Sequence, residues 1–191
     1  DEAFVKHRDK VAYKFMGKTI TFGQVDDLSR VFAAYLQSLG LVRGDRVAIM
    51  MPNVPQYPVA VAGILRAGYV VVNVNPLYTP RELEHQLKDS GAKAIVIVEN
   101  FAGTLQQVID AMRFNDAIAQ GRGKAYTAPP IGPDDIAVLQ YTGGTTGVSK
   151  GAVLLHRNLI ANLLQAEAWY QPALTKIPPG EQVVTVCALP L

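Results

Sequence analysis

Apolar residues recur along this chain in short unbroken or alternating runs and in longer runs spaced by three or four, and the change between the two periods lays out the elements. VAYKF and TITF, either side of Met16, Gly17 and Lys18, predict two short strands that turn at Gly17. Thr21 and Gln24 have capping-box spacing, and Val25, Leu28, Phe32, Leu36 and Leu39 follow on one helical face until Gly40. RVAIMM predicts a fully apolar strand, MPNVPQYP a loop, and PVAVAGILRAG a helix of small residues ended by Gly68. The pattern then repeats: YVVVNV predicts a strand, Thr79-Pro80-Arg81-Glu82 a second capping box with proline at the first helical position, and AIVIV a strand after Gly91, with Leu83 and Leu87 facing inward.

Continuous apolar strands separated by helices predict an α/β fold, a doubly wound and mostly parallel sheet with helices on both faces. Close Gly and Pro spacing from Gly121 to Pro133 reads as a connector. Residues 1–120 are therefore expected to form a first α/β subdomain, 121–136 a connector, and 137–191 the start of a second subdomain. That last part should contain the strands IAVLQY and GAVLLH, a helix RNLIANLLQAEAWY with Leu159, Leu163 and Ala166 inward, the turn IPPGEQ, and a strand VVTVCALPL.

Composition narrows the setting. With 191 residues, 49% hydrophobic and 18% charged, the chain is expected to fold around a substantial core. A formal net charge of +2 is too mild to draw nucleic acid by bulk electrostatics, so no nucleic-acid partner is expected and any anion site must be local. The opening DEAFVKHRDK lacks the basic patch and apolar run of a secretory leader, and PVAVAGILRAGYVVVNV is broken by Arg66 and glycines, short of the about 20 apolar residues a spanning helix needs. These features give an expectation of a cytoplasmic protein, with peripheral contact at the inner membrane and a homodimer left open. Cys187, in the apolar run TVCALPL, reads as a small buried hydrophobe. Trp169 reads as packing, His7 and His85 as solvated, and His156 as the end of a strand that helps cap the next helix; no metal-ligand spacing appears.

The run YTGGTTGVSKGAVLLH, 141–156, is different in kind. Gly143, Gly144, Gly147 and Gly151 let main chain approach a ligand closely and let successive N–H groups converge on an anion. Thr142, Thr145, Thr146 and Ser149 add hydroxyl donors, and Lys150 adds a compact positive charge. Together they read as a polyphosphate cradle; the alternative is an ordinary glycine-rich hairpin turn with a solvated lysine. The triphosphatase motif G-x-x-x-x-G-K-S/T is absent, because Lys150 follows Ser149 and precedes Gly151, and the flanking segments are strands rather than a strand and a helix. The dinucleotide pattern G-x-G-x-x-G fails too, since Gly143 and Gly144 are adjacent.

YTGGTTGVSKGA resembles, without a gap, the signature loop of the adenylate-forming enzymes, Tyr/Phe-Thr-Ser/Gly-Gly-Ser/Thr-Thr-Gly-x-Pro/Ser-Lys-Gly. ITFGQVDDLSRVFAAYLQSLGLVRGDRVAIMMPN and GILRAGYVVVNVNPLYTPRELEHQL resemble two N-terminal blocks of the same superfamily, so the likeness covers nearly the whole chain. The second glycine of TGGTTG, VNVNPLYTPRELEHQLKDSGAKAIV and LHRNL are most similar to bacterial long-chain fatty-acid–CoA ligases. The resemblance implies that a fatty carboxylate attacks the α-phosphate of ATP, giving acyl-adenylate and pyrophosphate, after which coenzyme A displaces AMP; Mg2+ is the implied metal cofactor. It assigns phosphate contacts to Thr142, Gly143, Gly144, Thr145, Thr146 and Gly147, with Lys150 as a counter-charge. Relatives continue beyond Leu191 into a Tyr-x-x-Thr-Glu motif for adenine and magnesium, a ribose-binding aspartate, a hinge and a C-terminal domain with an adenylation lysine. Catalytic residues are thus expected beyond Leu191, and the chain by itself is expected to be inactive. Relatives also carry more residues between Ile109 and Asp110, so QQVIDAMRF reads as a deletion or a join. Two rivals stay open: another adenylating enzyme that activates an aryl or amino acid, and a non-catalytic nucleotide-binding module.

Overall fold

A computed structural model describes residues 2–106, 114–142, 149–178 and 180–186. A short helix, α1 (Glu2–Lys6), precedes a separate two-stranded antiparallel hairpin of β1 (Val11–Phe15) and β2 (Lys18–Thr21). Its turn is Met16 and Gly17, with φ of 46° and 77°, the positive values a two-residue hairpin requires. Helix α2 (Phe22–Gln37) starts on the predicted capping box: Gln24 N donates to Thr21 Oγ1 at 3.1 Å and Thr21 N to Gln24 Oε1 at 2.8 Å.

The main sheet begins with β3 (Arg46–Met50), α3 (Gln56–Arg66), β4 (Val70–Asn73), α4 (Pro80–Ser90) and β5 (Ala94–Ile97). After α5 (Ala102–Gln106) and α6 (Phe114–Gly121) it is completed by β6 (Ile136–Thr142) and β7 (Lys150–Leu155), and α7 (His156–Leu174) follows. Its order is β5-β3-β4-β6-β7, with β7 as the antiparallel edge and the other pairs parallel. Helix α3 carries the chain from β3 to β4, and α4 carries it back across β3 to β5. Right-handed crossovers in opposite directions must leave these helices on opposite faces.

The core shows that they do. Val47 and Ile49 pack with Phe32, Ala60 and Ile64 on one face, while Ala48 and Met50 pack with Leu83 and Leu105 on the other. Adjacent residues of β3 thus serve different clusters, as the period of two demands. The connector, 122–135, is irregular but anchored: Gln37 Nε2 donates to Thr127 O at 2.8 Å, and Tyr126 Oη donates to Arg66 O at 2.8 Å. It leads directly into β6, so the one sheet includes strands from both sides of it.

Helices α2 and α3 approach closely at Gly63, where a Cβ would lie 2.7 Å from Phe32 Cδ1 and 3.0 Å from Ser29 O. The same interface holds a buried ion pair. Arg66 Nη1 donates to Asp26 Oδ1 at 3.0 Å and to Asp26 O at 3.1 Å, while Arg30 Nε donates to the same carboxylate at 3.2 Å. Burial works against ionisation of Asp26, but the hydrogen bonds from Arg66 and Arg30 outweigh it and hold the carboxyl below its ordinary value.

Several expectations fail at the surface. Leu39, expected on the inward face of α2, is 46% exposed because the helix has already ended at Gln37. In α7 Leu159 packs against the core, but Leu163 is 67% and Trp169 83% exposed. Helical spacing says which residues share a face, not whether anything covers it. Residues 183–186, the described part of the expected strand VVTVCALPL, are not strand and pair with no ladder among the described residues; just before them, Gln182 Nε2 donates to Val11 O at 2.5 Å. Cys187 and the Ile109–Asp110 junction lie outside the described residues.

Because a folded-state carboxyl held low stabilises above its unfolded value and loses that effect as pH falls through the folded one, Asp26 should support stability above about pH 4 and cease to do so in acid. Asp26→Asn is expected to cost about 3 kcal/mol by leaving Arg66 without its counter-charge. Urea midpoints measured from neutral pH down to about pH 3 should fall in the parent and fall less steeply in the variant; parallel profiles would remove Asp26 from the acid response.

Candidate functional site

Strand β6 sits between a parallel and an antiparallel neighbour, and the two pairings stop at different heights. Pairing with β4 runs from Val71↔Val138 to Asn73↔Gln140, whereas pairing with β7 continues through Tyr141↔Gly151 to Thr142↔Lys150. The connections that leave β4 and β6 at their carboxyl ends depart to opposite sides, toward β5 and toward β7. The carboxyl ends of the strands are where open α/β sheets take ligands. The glycine-rich run springs from this point.

Of the residues assigned to phosphate, Thr142 ends β6 and Lys150 begins β7, in register opposite one another, with Lys150 exposed. Gly143, Gly144, Thr145, Thr146 and Gly147 lie outside the described residues. Below them, Tyr141 fixes the root of the hairpin. Its ring covers Gly151, where a Cβ would fall 2.8 Å from Cε2 and 2.9 Å from Cζ, so this rung closes only with glycine. The phenol donates to Asp89 Oδ2 of α4 at 2.6 Å. Burial first, then the Asp89 carboxylate, push its pKa far up, so the hydroxyl remains a donor throughout the physiological range.

On the opposite face of the sheet Asn73 Nδ2 donates to Gln140 Oε1 at 2.7 Å, and Tyr57 Oη donates to Asn73 Oδ1 at 2.8 Å. Reasoning from the sequence missed Asp89, Tyr57, Asn73 and Gln140. The available signal was the amide that interrupts each apolar strand, in VVVNV and in IAVLQY.

His156 is the first residue of α7, and its N–H donates to Asp135 O at 3.0 Å. The side chain that caps this helix is Asn158, whose Oδ1 accepts from Leu155 N at 2.8 Å. His156 lines a cavity of about 250 Å³ with Arg43, Tyr69 and Asp135, beside the amino ends of β4 and β6 and so at the other end of the strands from Lys150. The hydrogen bond from Gly132 N, then that from Arg43 at 2.5 Å, hold Asp135 below its ordinary pKa. His85 is exposed, and His7 is half-buried with its ring 5.9 Å from Phe22.

The sequence pattern of the family described as AMP-binding enzyme matches residues 1–191. This chain belongs to that family. It is 48% identical over 234 aligned positions to the long-chain-fatty-acid–CoA ligase of Escherichia coli O157:H7, covering 100% of this chain and 41% of the relative. The corresponding ligase of Bacillus subtilis is 36% identical, over 84% of this chain and 36% of that one. Among solved structures, VinN in complex with 3-methylaspartate superposes with a TM-score of 0.79 at 25% identity, over 87% of this chain and 49% of that one. This AMP-binding enzyme chain therefore spans about 41% of the length of the E. coli relative, and the doubly wound arrangement is the family's N-terminal architecture. The 234 aligned positions exceed its 191 residues, so the relative carries segments without a counterpart here.

Gly151→Ala is expected to cost about 1–3 kcal/mol by driving a methyl group into the Tyr141 ring. In a Tyr141→Ala background the same change should cost under about half as much, read from a double-mutant cycle of urea midpoints. Additive losses would show that the ring is not what excludes a side chain at 151.

Proposed function

We propose that this chain is the amino-terminal part of an ATP-dependent long-chain fatty-acid–CoA ligase, and that 142–150 is its triphosphate loop. The observation that carries the reading is identity of 48% to a ligase of that name across the chain's whole length. In the first step a fatty carboxylate oxygen bonds to the α-phosphorus of ATP and the bond to the β-phosphate oxygen breaks, releasing pyrophosphate. In the second, the thiol of coenzyme A displaces AMP. Negative charge builds on the departing pyrophosphate, so donors held around the β- and γ-phosphates lower the barrier. Thr142, Gly143, Gly144, Thr145, Thr146 and Gly147 supply hydroxyl and main-chain donors for it, and Lys150 a point charge.

Among the described residues no three His, Cys, Asp or Glu side chains gather to hold a metal ion. Fatty acid, ATP and coenzyme A are the partners of the reading. No described helix is long and apolar enough to cross a membrane. The proposed reaction belongs to the cytoplasm because ATP and coenzyme A are its substrates.

The likeness to VinN, solved with an amino acid, supports a second reading in which the activated carboxylate belongs to an amino acid. Acid-dependent pyrophosphate exchange by the full-length protein, with fatty, aryl and amino acids in parallel, separates the two and tests for catalysis at all. Exchange is expected with long-chain fatty acids; exchange with amino acids alone would favour the second reading, and none with any acid would leave a nucleotide-binding module. Lys150→Ala is expected to lower kcat/KM for ATP about tenfold or more, with little change in melting temperature because the side chain is exposed. Equal ATP use by variant and parent would take Lys150 out of the mechanism.

A further inference from the structure

Beyond the Asn73–Gln140 rung, Tyr141 and Thr142 pair on one side only, with β7. The glycine-rich run therefore follows a two-residue extension past the parallel ladder, and Asn73–Gln140 is the last rung on β4 beneath it. Side chains lengthen this rung. Tyr57 Oη donates to Asn73 Oδ1 at 2.8 Å and Asn73 Nδ2 to Gln140 Oε1 at 2.7 Å, so one line of polar groups runs from α3 across β4 to β6. From the opposite face, Gln86 Nε2 of α4 donates to Asn73 O at 2.7 Å. Gln86 is buried, and its Oε1 has no hydrogen-bond partner among the described residues. A buried amide oxygen left in that state costs about 1–3 kcal/mol, which offsets what the bond from Nε2 to Asn73 O contributes. Polar side chains thus bond the end of β4 from both faces of the sheet.

We propose that Tyr57, Asn73 and Gln140 are positioning residues that set the direction in which β6 leaves the sheet, and thereby the placement of Thr142 and Lys150 for the triphosphate. The proposal rests on the reading of 142–150 as the phosphate loop. None of the three touches the reacting atoms; each acts through the main chain of β6. A structural role would change stability and the folded fraction, whereas a positioning role changes the use of ATP in molecules that are folded.

The test uses the full-length protein in pyrophosphate exchange, with Asn73→Leu, Gln140→Leu, the double variant and Tyr57→Phe, each with its melting temperature. Each single variant is expected to raise KM for ATP about 3- to 10-fold, the equivalent of one hydrogen bond, while KM for the fatty acid stays within about twofold. In the double variant neither amide is left without its partner, so the melting temperature should recover toward the parent while KM for ATP stays raised. If the leucine variants do not fold, Tyr57→Phe, which removes a single hydroxyl, carries the test. Unchanged KM for ATP in folded variants, or a KM that recovers together with the melting temperature, overturns the proposal. Lys150→Ala run alongside separates the two failures: impaired ATP use there but not in the other variants ends the positioning role alone, and unimpaired use ends the phosphate-loop reading and this proposal with it.

Discussion

A strand covered on both faces can satisfy its amides and carbonyls only through its neighbours, and β6 is the strand on which this constraint bears hardest. Its lower part is paired on both sides, by β4 and β7, whereas its last two residues have β7 alone. The place where parallel pairing runs out is also where the connections from β4 and β6 diverge. Backbone hydrogen bonding thus leaves the root of the glycine-rich run paired on one side only. The side chains at this level add to a main-chain fact: Tyr141 ties the end of β6 to α4 through Asp89, and Gln140 ties it to β4 through Asn73.

The helical layer behind this end is held by a different kind of interaction. Asp26 and Arg66 are buried together between α2 and α3, and Arg30 completes the carboxylate's hydrogen bonding. The carbonyl of Arg66 accepts from Tyr126, so the irregular connector is fastened to the same pair of helices. Ion pairing also marks the amino ends of the strands, where Arg43 meets Asp135 and Arg157 meets Asp134. The described ties at the carboxyl end rest on two amides, on the Tyr57 phenol, and on the Tyr141 phenol donating to the Asp89 carboxylate. In the proposed function Lys150, in register with the end of β6, supplies the positive charge for the polyanion.

Much of this architecture was legible along the chain. Both capping boxes formed as their spacing required, because the partners lie three residues apart and the geometry closes within one turn. The apolar runs of β3, β4 and β5 could be read because strands buried on both faces tolerate no polar alternation. The glycine-rich run stood out by composition, and the resemblance it carried is matched by the family assignment. The exposure of Leu163 and Trp169 was not legible, since periodicity carries no information about what lies opposite. Nor were the partners of Tyr141 and Gln140, 52 and 67 residues away in the chain, which no local spacing encodes.

The sequence by itself determined most elements of the sheet, the class of fold and the gathering of glycines, hydroxyls and a lysine between Tyr141 and Gly151, because each is a property of residue types at short separation. Tertiary structure alone decided that β6 lies beside β4, that Thr142 and Lys150 face each other past the end of the parallel ladder, and that His156 belongs to the other end of the sheet. Those outcomes follow from strand order and from the hand of the crossovers, which depend on how whole elements pack and not on the identity of any one residue.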